Sequence, residues 1–157
     1  MRIPHAALRL AVYATRRKFT AGAVVVCRSP GGQVLLVHQA HGEGRWGFPG
    51  GVVNLAESFE ACAVRELFEE TGVAVAEEDL ELAATYTQEH AWHIDVVFRV
   101  QVPEGTEGTA EHDTFEVQDV GWFEPDRLPA LRRESRELLR PECCVTSARH
   151  SWRTPCA

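Results

Sequence analysis

Three carboxylates, Glu66, Glu69 and Glu70, recur at helical spacing in a stretch free of proline and glycine. Steps of three and four residues return to one helix face, so the side chains converge within roughly 100° of arc at ~3.6 residues per turn. Like charges so placed repel one another and weaken an isolated helix. A hard divalent cation relieves that repulsion, and Mg²⁺ is held by a few carboxylates together with water and substrate phosphates. Glu57 adds an oxygen at the start of the same segment, and Gly50 and Gly51 offer carbonyls with no side chain in the way. Arg65 is the one base between Glu57 and Glu81, where nine acids stand, and it pairs most simply with Glu57. A merely solvated acidic helix face is the competing reading of these charges alone.

The elements that must carry these groups are legible from period and punctuation. Residues Ser58 to Thr71 read as a helix, with Ser58 as N-cap, Gly72 just past the end, and Phe59, Cys62, Ala63 and Leu67 as an inward stripe. Phe19 to Arg28 and Val34 to Gln39 read as strands joined by Ser29-Pro30-Gly31-Gly32 into a hairpin. His41 to Gly51, rich in glycine and holding Pro49, reads as a segment without regular structure, its backbone free to face a ligand. Leu80 to Gln88, His93 to Val102 and Phe115 to Phe123 have strand composition, and Asp126 to Leu139 reads as helical in pieces. Residues 1–18 suggest a basic helix that packs on the domain or mediates a homodimer, 19–140 the core, and 141–157 a flexible tail.

Composition narrows the classes. At 157 residues, 45% apolar and 25% charged, the chain suits one globular domain. Its net charge of −7 argues against loose adhesion to nucleic acid or anionic lipid. No apolar run approaches the ~18 residues of a membrane span. Five scattered cysteines suit a reduced, cytoplasmic setting. Cys143, Cys144, His150 and Cys156 match no standard zinc spacing and read as adventitious tail thiols.

The carboxylates belong to a longer pattern. Gly51, five residues, Glu57, seven residues, then Arg65-Glu66-Leu67-Phe68-Glu69-Glu70-Thr71-Gly72-Val73 gives nine defined positions. Its chance frequency is on the order of 10⁻⁸ per start point at average residue usage. The pattern resembles the Nudix box, Gly-x5-Glu-x7-Arg-Glu-U-x-Glu-Glu-x-Gly-U with U aliphatic, and matches every defined position. Weaker resemblance extends through Trp46-Gly47-Phe48-Pro49-Gly50 before the box and Val120-Gly121-Trp122-Phe123 after it.

That resemblance implies an α/β/α sandwich with a mixed sheet and the box as loop, helix and loop. It implies a hydrolase that cuts a pyrophosphate in a nucleoside diphosphate derivative, with Mg²⁺ (or Mn²⁺ in its place) as cofactor. It makes Glu66, Glu69 and Glu70 metal ligands, Gly50 a carbonyl ligand, Glu57 an auxiliary acid and Arg65 its orienting partner. Glu66, Glu69 or, outside the box, Glu116 is the general base, with Glu111 and His112 weaker candidates. Trp46, Phe48 and Trp92 are candidates to stack on a base, and His90 and His93 to meet a phosphate or a base edge. Subfamily markers for ADP-ribose and dinucleoside polyphosphates are missing where Gln88-Glu89-His90-Ala91 stands, and the Ser-Gln-Pro-Trp-Pro-Phe-Pro run of NADH enzymes is absent. A nucleoside di- or triphosphate is the expected substrate, ahead of ADP-ribose, nucleotide sugars and dinucleoside polyphosphates. A catalytically silent nucleotide sensor is the alternative from another class.

Overall fold

The computed structural model describes residues 19–40, 44–88, 92–106 and 117–139. The expectations for residues 1–18, His90, Glu111, His112, Glu116 and the cysteine-bearing tail therefore lie outside the described residues.

One mixed sheet forms the centre. Strands β1 (Thr20–Arg28) and β2 (Val34–Gln39) are the expected hairpin, followed by β3 (Trp46–Gly47) and β4 (Gly50–Val52). Helix α1 (Phe59–Thr71), β5 (Glu81–Gln88), β6 (His93–Gln101), β7 (Val117–Phe123) and α2 (Arg133–Leu138) complete the chain order. The sheet runs β3-β2-β1-β6-β5, with β4 also paired to β1 and β7 to β2. The β1–β6 pair is parallel from Thr20↔His93 to Arg28↔Gln101, while the other pairings are antiparallel.

The run Ala23-Val24-Val25-Val26-Cys27 makes β1 central because its side chains alternate between two apolar cores. Ala23, Val25 and Cys27 join Leu35, Phe98 and Val100 beneath Cys62, Ala63 and Leu67 of α1. Val26, Leu36 and Val97 pack on the opposite face with Phe48, Leu131 and Leu138. A helix thus covers each face of the sheet. Ser58 caps α1, its Oγ accepting from Ala61 N at 3.0 Å, and Gly72 ends it at φ 70°.

Two segments differ from expectation. His41 to Gly51 is not wholly irregular: Trp46–Gly47 pairs with Val37 and His38, and Gly50–Val52 pairs with Gly22 to Val24. These strands span two and three residues, too short for any hydrophobic period to register. Asp126 to Leu139 starts as turns and bends, with Leu131 in an isolated bridge to Trp46, and is helical only from Arg133. Pro125 and Pro129 remove backbone donors and disfavour helix before themselves. Among the described residues no helix is long and apolar enough to cross a membrane.

Candidate active site

Helix α1 presents its carboxylates around one guanidinium. Arg65 grips Glu57 as a fork, Nε to Oε1 at 2.7 Å and Nη2 to Oε2 at 3.0 Å. Its Nη1 donates to Glu66 Oε1 at 2.7 Å and to Glu69 Oε2 at 3.0 Å. Asn54 N donates to Glu57 Oε2 at 2.8 Å. The Arg65 hydrogen bonds, with Asn54 assisting, hold the Glu57 carboxyl down at about 2. Its charge therefore persists through any neutral or mildly acidic medium.

Glu70 lies in a different environment. It is 6% exposed, Oε2 accepts from Gly50 N at 2.9 Å, and Oε1 accepts from Gln39 Nε2 at 3.2 Å. Burial pushes its carboxyl up to about 7, helped by the charge of Glu66 and opposed by the two hydrogen bonds. Such a group gains from a cation that stabilises its ionised form.

Gly51 brings backbone against the same cluster. A β-carbon there would lie 2.3–2.7 Å from the Glu66 carboxylate, closer than any real contact. Gly51→Ala is accordingly expected to push the Glu66 carboxylate aside and lower turnover at least tenfold, with α1 intact by circular dichroism. Wild-type turnover in that variant would mean that the position of Glu66 is unimportant.

Three carboxylates share Arg65, a formal excess of two negative charges when all are ionised, and Glu70 adds a fourth acid held by Gly50 and Gln39. Hard oxygen donors with uncompensated charge fit Mg²⁺ or Mn²⁺. Among the described residues, no three His, Cys, Asp or Glu side chains already surround a common coordination point. Arg65 Nη1 holds Glu66 and Glu69, so metal binding requires rotamer changes there, whereas Glu70 and the Gly50 backbone are already joined.

A cavity of about 330 Å³ opens on the α2 side of the sheet, and Gly50 and Gly51 form part of its wall. Phe48, Tyr86 and Leu138 give it apolar surface, while His93, Asp95 and Arg132 give it polar groups. Arg132 Nη1 donates to Gln39 Oε1 at 2.8 Å, so the chain Arg132–Gln39–Glu70 links the cavity to the carboxylates. Tyr86 donates to Glu137 Oε2 at 2.8 Å and ties β5 to α2 beside the opening.

The structure thus brings together Glu57, Arg65, Glu66, Glu69, Glu70 and Gly50. Phe48 is 3% exposed and serves both core and cavity wall. Trp46 is held between His38 and Phe123, ring centroids 5.4 and 4.8 Å away. Trp92 is 43% exposed at φ 51°, its ring 5.4 Å from Phe19. Neither tryptophan is part of the cavity wall. Sequence reasoning missed Gln39, Tyr86, Asp95 and Arg132. The alternation His93, Asp95, Val97 along β6 was the available signal that a carboxylate shares a face with core residues.

Known proteins resemble the chain in sequence and fold. The NUDIX domain family model matches residues 18–141. A MutT-like protein of Streptomyces ambofaciens is 34% identical over 97 residues, covering 62% of this chain and 58% of that protein. A Bacillus subtilis (strain 168) protein provisionally named an 8-oxo-dGTP diphosphatase is 33% identical over 122 residues, 76% of each chain. The crystal structure of a MutT NUDIX hydrolase from Burkholderia pseudomallei superposes with TM-score 0.64 at 24% identity, covering 77% of this chain and 95% of that one. This chain spans little more than half the length of the Streptomyces relative. With the box complete and the family model matching residues 18–141, the chain belongs to the Nudix family.

Proposed function

We propose that the chain hydrolyses a pyrophosphate bond in a nucleoside diphosphate derivative, with a nucleoside di- or triphosphate as substrate and Mg²⁺ as cofactor. The observation that carries this reading is the cluster of three carboxylates on Arg65, with Glu70 held at Gly50 N, beside a cavity whose wall includes Gly50 and Gly51. Glu66, Glu69 and Glu70, with Glu57 and the Gly50 carbonyl, would hold the metal. A metal held by these residues would supply charge neutralisation for the phosphate oxygens and a more acidic water. The water oxygen bonds to phosphorus as the bridging P–O bond breaks, and Glu66 or Glu69 takes the proton. Arg65 keeps Glu57, Glu66 and Glu69 on one side of the helix, and the cavity takes the nucleoside.

A hydrolysis screen tests the reading. Nucleoside di- and triphosphates, ADP-ribose, nucleotide sugars and dinucleoside polyphosphates would each be incubated with Mg²⁺ or Mn²⁺. Phosphate or pyrophosphate release from a nucleoside di- or triphosphate, stopped by chelator, is expected. No release from any substrate with either metal would overturn it.

A further inference from the structure

Asp95 is a carboxylate only 8% exposed, in the wall of the cavity, away from the carboxylates of α1. It is fixed rather than mobile. His93 Nε2 lies 2.8 Å from Asp95 Oδ1, and His93 Nδ1 lies 2.6 Å from Thr20 Oγ1. In a neutral ring one tautomer satisfies both contacts, with Nε2–H donating to Asp95 and the Thr20 hydroxyl donating to Nδ1. The parallel β1–β6 register sets Thr20 opposite His93 and Gly22 opposite Asp95.

Gly22 leaves room for this carboxylate and its histidine. A β-carbon there would meet Asp95 Oδ1 at 2.7 Å, Gly51 O at 2.8 Å and His93 Nε2 at 2.9 Å. Among the described residues His93 is the one donor to Asp95, so the carboxylate keeps acceptor capacity with no partner. A buried acceptor of this kind gains from a ligand that donates to it and rejects one that presents lone pairs.

The bases differ in just that respect. Guanine places two donors side by side, N1–H and the 2-amino group, matching the two oxygens of a carboxylate. Adenine and cytosine place a ring-nitrogen acceptor beside their amino group, and uracil flanks its one N–H with two carbonyls. Phe48, Tyr86 and Leu138 supply flat and apolar surface for a purine ring in the same cavity.

We propose that Asp95, positioned by His93 and Thr20, selects a guanine base through its N1–H and 2-amino edge. This rests on the cavity taking the nucleoside, as in the function proposed above. The test is equilibrium binding of GMP, IMP and AMP by calorimetry, which needs no turnover. IMP differs from GMP by the 2-amino group alone. The wild-type protein is expected to bind GMP about 10-fold to 100-fold more tightly than IMP or AMP. Asp95→Asn should reduce the GMP-to-IMP ratio to near one, and Glu78→Gln, an exposed acid outside the cavity wall, should leave it unchanged. Equal affinity of the wild-type protein for GMP and IMP overturns the proposal without any variant. So does a ratio preserved in Asp95→Asn or lost in Glu78→Gln. Hydrolysis of nucleoside di- or triphosphates with no GMP preference would remove the guanine assignment and leave the hydrolase standing.

Discussion

Glu70→Gln is expected to lose at least ~10²-fold in turnover, the scale on which one preorganised charge-stabilising group acts, while remaining folded. It is also expected to flatten the pH dependence of stability. The Glu70 carboxyl stands at about 7 in the folded protein against an ordinary 4.5, so the folded state holds its proton more tightly than the unfolded state. Metal-free stability from this group is fully present below 4.5 and is lost as pH rises through 7. The loss is at most about 3–4 kcal/mol, from ~1.4 kcal/mol for each pKa unit. The amide has no such proton and no such slope. Thermal unfolding in chelator from pH 5 to pH 8 reads the difference: a falling wild-type curve against a flatter Glu70→Gln curve. Parallel curves would mean that Glu70 is not the desolvated acid its burial implies.

The same burial ties proton and metal together. A cation on Glu70 favours the ionised form, so binding below about pH 7 must displace a proton, and affinity rises with pH through that range. A buried acid that destabilises the metal-free fold at neutral pH is the cost of keeping that carboxylate dry and rigid.

Arg65→Ala is the second large effect. Arg65 touches three carboxylates at 2.7–3.0 Å, and its loss leaves Glu57, Glu66 and Glu69 without their shared cation. The side chain is 27% exposed, so screening keeps the stability loss at about 1–2 kcal/mol. Activity should fall by ~10²-fold, because partners that orient metal ligands commonly affect function by ~10–100-fold each and Arg65 orients three. Arg65→Lys should rescue stability more than turnover, since an ammonium cannot reproduce the two-nitrogen fork on Glu57. Turnover restored by lysine would show that charge alone matters there.

Much of this site was legible before any coordinates, for one reason. Glu66, Glu69, Glu70 and Arg65 sit within one helix, where a fixed period sets which side chains meet, and Ser58 and Gly72 mark its ends by local chemistry. Strands β1, β2, β5 and β6 were equally plain, because β-branched and apolar runs announce burial. The other half of the site comes from pairings distant in the chain. His93 reaches Thr20 across 73 residues, Gln39 reaches Glu70 across 31, and Arg132 reaches Gln39 across 93. No local pattern encodes those distances. The tryptophans show the converse: Trp46 and Trp92 have the composition expected of base-stacking residues, but tertiary packing sets Trp46 against Phe123 and Trp92 against Phe19.

On the proposed function, the carboxylates of α1 bind the cation required for hydrolysis. Electron paramagnetic resonance of Mn²⁺, titrated into wild-type, Glu69→Gln and Glu70→Gln protein, tests it most directly when turnover is measured on the same samples. Saturable Mn²⁺ binding that supports turnover in the wild type, with binding weakened at least tenfold and turnover lost in both variants, is the predicted result. Mn²⁺ affinity and turnover equal to wild type in both variants would contradict it.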